Sequence, residues 1–213
     1  MRAAAPARAA ISADGSFSLV LPGTWATIPL SDDADAEKRI TALVKQQVGK
    51  NDRLASRRRQ LRQELVKAAH DAAAQDAISF SIALEIMTGV PFPGSIMSRL
   101  EAWPASAVGS TPQERLAAGF PAATLIQTES GPAARVATSE PTKYVEETTP
   151  SLSLDYWIPV PSGARLLVTT VALPMVSDEA LFTELFDTVM GSIQWAVSAD
   201  SDSASDGSVS SDR

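Results

Sequence analysis

From Leu152 to Ile158 the apolar side chains fall on every second residue. Leu152, Leu154, Tyr156 and Ile158 alternate with Ser153, Asp155 and Trp157. A strand returns to the same face every two residues and a helix does not, so this stretch predicts a half-buried strand. After the turn signal Pro161-Ser162-Gly163, the run Leu166–Leu173 is apolar on both faces, which predicts a strand at the centre of a sheet, covered on each side. The alternation recurs in Phe80, Ile82, Leu84 and Ile86, with Ser79, Ser81, Ala83 and Glu85 between them. Pro91, Pro93 and Gly94 make a turn, and Ser95–Trp103 reads as the antiparallel partner. Further strands are expected at 16–21, near 122–129 and near 133–140. Short turns between strands favour antiparallel pairing, in a sheet of about six to seven strands.

Helical periodicity flanks this run. Ser31-Asp32-Asp33 supplies N-cap and first-turn chemistry for a helix carrying Ile40, Leu43, Val44 and Val48, with Gly49 to close it. A second helix is expected to start near Asn51 or Asp52, with a narrow apolar line through Leu54, Leu61, Leu65, Ala68 and Ala72. Thr111-Pro112-Gln113-Glu114 opens a short helix. Ser177 is expected to cap a last helix whose core line is Leu181, Phe182, Leu185, Phe186, Val189, Met190 and Ile193, ending near Trp195. The result is an α+β class with a central antiparallel sheet flanked by helices. Periodicity leaves open which sheet face each helix covers.

A chain of 213 residues with a formal charge of −7 can build one core of good size. The expected organisation is a flexible arm over 1–14, one α+β domain over 15–197 with the helical pair 32–74 inserted after its first strand, and a disordered Ser/Asp-rich acidic tail over 198–213. The start of the chain is broken by Pro6 and Arg8, so it lacks the uninterrupted apolar stretch of roughly 7–15 residues that a signal peptide needs. Nothing later approaches the roughly 20 apolar residues of a membrane span. A cytoplasmic protein with no membrane span is the expectation.

Two short hydrophobic signatures carry a family resemblance. The opening Phe17-Ser18-Leu19-Val20-Leu21-Pro22-Gly23-Thr24-Trp25 and the closing Tyr156-Trp157-Ile158-Pro159, followed by a hairpin and a helix with Phe186-Asp187, Ile193 and Trp195, resemble Mog1/PsbP-like domains. The resemblance implies a sheet sandwiched by helices (an α/β/α sandwich) and a non-catalytic binding or assembly role. The long basic helices over 32–74 exceed what compact members of that family carry there.

Reactive chemistry is sparse. The sequence has no Cys and one His, which excludes thiol nucleophiles, Cys-type zinc sites and multi-histidine metal centres. None of the nucleophile-elbow, phosphate-loop, dinucleotide or EF-hand patterns occurs. His70 reads as a surface or packed helical residue. Glu146-Glu147 reads as a loop, and Asp155 as an exposed or Arg-paired strand residue. No catalytic residue, cofactor or metal is expected. Of the four tryptophans, Trp103 and Trp157 are the candidates for an apolar ligand pocket between sheet and helices, and Trp157 is the one expected to be exposed. The favoured reading is that the tryptophans fill core ends, with the pocket as its alternative.

Charge is the informative surface feature. Between Lys38 and Lys67 lie ten of the 18 basic residues against Asp52 and Glu64, so this segment carries +8 and the remainder −15. Arg58 and Arg62 share a helical face, with Arg53 and Arg57 an i, i+4 pair nearby. Long cationic side chains can simply cover the edge of an apolar stripe. They also suit docking of an acidic protein partner, with Arg53, Arg57, Arg58 and Arg62 as the contact residues. Nucleic acid is disfavoured by the −15 elsewhere and by the lack of interleaved aromatic residues. The acidic tail, with Asp200, Asp202, Asp206 and Asp212, is a further candidate to fold back over the arginines. Function is thus expected to be that of an interaction or assembly adaptor. A carrier of a small apolar ligand is the alternative, and the sequence does not specify an oligomeric state.

Overall fold

The computed structural model describes residues 8–11, 16–48, 55–87, 90–91, 94–144, 147–176 and 178–196. Its strands are β1 (Arg8–Ile11), β2 (Phe17–Leu21), β3 (Thr24–Thr27), β4 (Ala77–Met87), β5 (Val90–Pro91), β6 (Ser95–Ala102), β7 (Thr124–Thr128), β8 (Gly131–Tyr144), β9 (Glu147–Pro159), β10 (Arg165–Pro174) and β11 (Gln194–Trp195). Its helices are α1 (Asp33–Val48), α2 (Ala55–Ala74), α3 (Pro112–Gly119) and α4 (Glu179–Gly191). The large antiparallel sheet runs β3-β4-β6-β10-β9-β8-β7, with β5 paired to β4, and a three-stranded sheet runs β1-β2-β11. The chain is an α+β protein with helices flanking the sheet.

The doubly apolar run Leu166–Leu173 lies in β10, hydrogen-bonded to β6 on one side and β9 on the other. Its two faces feed different cores. Leu167, Val171 and Leu173 join Leu152, Leu154, Tyr156 and Ile158 of β9, Phe17, Leu19 and Leu21 of β2, and Phe186, Val189 and Met190 of α4. Leu166 and Val168 point the other way, towards Leu116 of α3. At the β3–β4 end of that second face, Ile40, Leu43 and Val44 of α1 and Ala69 and Ala72 of α2 pack on Ala26, Phe80 and Ile82. Thus α4 and the small sheet cover one face of the large sheet, and α1, α2 and α3 cover the opposite one. This is the arrangement that periodicity left undecided.

A bulge in β4 serves both cores. The pairing of β4 with β6 shifts register between Ala77 and Ser79, so strict alternation is broken there. Ile78 packs with the α4 core, whereas Phe80, two residues on, packs with the α1–α2 core. At the next corner Gly23 has φ +76°, and a Cβ there would lie 2.0 Å from the Glu85 carbonyl oxygen. Only glycine fits this crossing of the β2–β3 turn over β4. The same turn is fixed by Trp25, whose indole N–H donates to the Pro22 carbonyl at 2.8 Å.

Several local expectations change. Part of the supposed loose arm, Arg8–Ile11, pairs antiparallel with β2 from Arg8↔Leu21 to Ile11↔Ser18. The α4 N-cap is Asp178, whose carboxylate accepts from the Leu181 N–H at 3.0 Å, while Ser177 lies outside the described residues. Leu181 is 58% exposed because, at about 100° per residue, it lies well round the helix from the buried Phe186, Val189 and Met190. α4 stops at Gly191, and Trp195 belongs to β11, paired with Phe17. Glu147 opens β9 rather than sitting in a loop. The proposed cap Gly49, the expected helix start at Asn51 or Asp52, most of the arm 1–14, Glu146 and the tail 198–213 also lie outside the described residues.

Candidate functional site

The basic segment forms a helical hairpin. His70 Nε2 near the end of α2 lies 3.6 Å from Asp33 Oδ1 at the start of α1, so the two helices run antiparallel. α1 is capped by Asp32, whose Oδ1 accepts from the N–H groups of Ala34 and Asp35 at 2.7 and 3.1 Å. Its first turn carries Asp33 and Asp35, whereas the first turn of α2 carries no acidic residue. The arginines therefore gather where α2 begins, at the end of the hairpin away from His70. Arg58 and Arg62 are half-buried beside the apolar line and Arg59 is exposed. Arg53 lies outside the described residues, and so does the side chain of Arg57, which is part of α2. Leu61 and Leu65 pack partly buried against the α1–α2 core, which places the flanking arginine stems along its rim. Ion pairs on α2 include Lys67 with Asp71 at 2.5 Å and His70 with Asp33.

Trp103 and Trp157 both lie against the α3 core. Both pack partly buried against Leu116, Ala134, Leu166 and Val168. The Phe120 ring stacks on Trp157 with centroids 4.6 Å apart and planes at 27°, so the tryptophan expected to be exposed is covered by the residue that ends α3. The Arg115 guanidinium lies 3.9 Å over the Trp103 ring, a cation–π contact. Arg115 and the Trp103 indole N–H both donate to the Gly163 carbonyl, at 3.2 and 3.1 Å. Leu116, fully buried, and Phe120 occupy the space between sheet and helix. α3 is fixed above them by a complete capping box: Glu114 N–H donates to Thr111 Oγ1 at 3.2 Å, and the Glu114 carboxylate accepts from Thr111 N–H at 3.2 Å.

Periodicity did not indicate a shallow, open groove of about 550 Å³ between α4 and the β8–β9 ribbon, mostly apolar in surface with charged side chains along it. Arg135, Ala137 and Ser139 of β8 form its strand wall, Glu179, Glu184 and Asp187 its helix wall, and Leu152 its base. Two contacts set the geometry. Arg135 Nη1 pairs with Asp187 Oδ2, and Ser139 Oγ donates to Glu179 Oε1 at 2.5 Å. Four strand residues span about 13 Å and eight helical residues about 12 Å. Strand and helix therefore lie side by side, running in opposite directions. The other oxygen of Asp187 accepts from the Tyr156 hydroxyl at 2.9 Å. Burial, then the adjacent Asp187 carboxylate, push the phenol well above its usual range, so Tyr156 stays a neutral donor.

The remaining polar candidates are satisfied locally. Asp155 accepts from Thr170 Oγ1 at 2.6 Å on the neighbouring strand, rather than pairing with an arginine. Ser98 and Thr169, opposite each other on β6 and β10, share a buried hydroxyl–hydroxyl hydrogen bond of 2.9 Å. Among the described residues no three His, Asp or Glu side chains form a group that could hold a metal ion. Among them, too, no helix is long and apolar enough to cross a membrane. Comparison with protein-family models, with curated proteins and with solved structures gave no match.

Proposed function

We propose that the protein is a non-catalytic interaction module that docks an acidic protein partner on the arginine-rich start of α2, as an adaptor or assembly factor. The observation that carries this reading is electrostatic. α2 (Ala55–Ala74) carries Arg57, Arg58 and Arg59 from its third residue on and has no carboxylate in its first turn, near the helix end where the macrodipole is positive. Each cation so placed costs about 0.3–1 kcal/mol. An approaching anionic surface reverses that sign, and the local +8 within a chain of −7 steers it there. The resemblance to Mog1/PsbP-like domains belongs to the same proposal. It is supported by the order of first strand, antiparallel sheet and final helix, and by the helical layers on both faces.

A fluorescein-labelled oligoglutamate peptide, titrated at two salt concentrations, tests the docking reading. The double reversal Arg59→Glu/Arg62→Glu should weaken binding about tenfold and flatten its salt dependence. Far-UV circular dichroism should be retained. An unchanged salt response overturns the reading, as does tighter binding of a single-stranded oligonucleotide of equal length.

A further inference from the structure

The long strand β8 is paired along only part of its outer side. β7 covers it from Gly131 to Arg135 and then ends, since Thr124, the first residue of β7, stands opposite Arg135. β9 continues on the inner side through to Tyr144. From Val136 to Glu140, therefore, no strand among the described residues pairs with the outer edge of β8. Of the devices that usually blunt an edge, this stretch carries a single charge at its far end, Glu140. It has no lysine, proline or bulge, and the first proline is Pro141. Ala137, Ser139 and Glu140 are exposed, and five residues present about 17 Å of free strand edge.

This edge borders the groove under α4. Ala137 and Ser139 form both its open margin and the strand wall, and the helix facing them carries Glu179, Glu184 and Asp187. The one cation there, Arg135, is already paired with Asp187. The groove is thus net acidic, opposite in sign to the start of α2. We propose that Val136–Glu140 accepts an extended lysine- or arginine-bearing peptide by strand addition, its main chain pairing with β8 and its basic side chains reaching Glu184 and Glu179. Main-chain pairing supplies affinity and alternate side chains supply selectivity. Charge selects this occupant over a second copy of the chain, because two copies joined at this edge would bring their own acidic walls together.

The test uses the full chain and a fluorescent heptapeptide of alternating valine and lysine. Saturable binding is expected, with amide exchange slowed at Val136–Glu140. Methylating alternate peptide nitrogens of the probe should weaken binding at least about tenfold, because a methylated nitrogen cannot join the ladder. Glu184→Lys should weaken it several-fold, and an alternating valine–glutamate probe should not bind. The proposal is overturned by absence of saturable binding, by equal binding of the methylated or glutamate probe, or by protection elsewhere. A dimer in sedimentation with Val136–Glu140 already protected overturns it too. None of these results depends on the arginines of α2.

Discussion

The hydroxyl of Tyr156 donates to Asp187 Oδ1 at 2.9 Å, from a strand to the helix that covers it. Asp187 Oδ2 pairs with Arg135 on the adjacent strand. One carboxylate thereby ties β8 and β9 to α4. The Arg135 and Asp187 side chains are only 16% and 27% exposed, so removing the carboxylate strands a largely buried guanidinium whose Nε already has no hydrogen-bond partner. Asp187→Ala should cost about 2–3 kcal/mol in urea unfolding, somewhat less than a fully buried pair, and Tyr156→Phe about 1 kcal/mol. Adding Arg135→Met to Asp187→Ala should recover part of the loss, since no orphaned charge remains. A double variant that is simply additive contradicts this account.

The same contact predicts an alkaline transition. The folded protein holds the Tyr156 proton above the pH at which the unfolded chain releases it. Stability from this group is fully present below about pH 10 and falls as pH rises further, by about 1.4 kcal/mol per unit. Denaturant midpoints of wild type and Tyr156→Phe measured between pH 8 and 11 should converge at the upper end. Parallel curves would show that the phenol does not contribute.

Covering of Trp157 by Phe120 sets a spectroscopic expectation. Phe120→Ala should shift the tryptophan emission to longer wavelength and cost about 1–3 kcal/mol, below the range for a fully buried phenylalanine because Phe120 retains some exposure. Combined with Trp157→Phe, the emission shift should vanish. If it persists, another tryptophan is responsible.

Asp178, as the N-cap of α4, should be worth about 1 kcal/mol. Asp178→Ala should lower the urea midpoint accordingly, and Asp178→Ser should restore most of it. An Asp178→Ala variant as stable as wild type would remove Asp178 from the cap.

Alternation made the strands legible because the pleat is a local property. The doubly apolar Leu166–Leu173 even disclosed its central place in the sheet. Exceptions arose where a distant neighbour decided the outcome. Nothing near Trp195 announces a strand, since its partner Phe17 lies at the other end of the domain. Trp157 faces away from the leucines, as alternation required, and it is covered because α3 reaches that face. Leu181 was counted in the apolar line of α4, but it sits at the edge of the helical stripe, away from the buried Phe186, Val189 and Met190, and is exposed. The acidic groove was illegible for the same reason: Arg135 and Asp187 are 52 residues apart, and only the register of β8 on β9 brings the arginine beneath the helix. The charge run between Lys38 and Lys67 was plain in sequence, while the antiparallel packing of α2 on α1, which sets the arginines at the end away from His70, was not.

β2 acquires its neighbour β11 only when the other end of the domain is present, and Val20 N–H donates to Ser192 Oγ across 172 residues. At a synthesis rate of about 5–20 residues per second, Phe17, Leu19 and Leu21 leave the ribosome roughly ten to thirty seconds before that partner exists. A nascent chain with this wiring spends the interval with a sticky segment uncovered. The apolar face of β2 thus waits for its cover until almost the whole domain has been made.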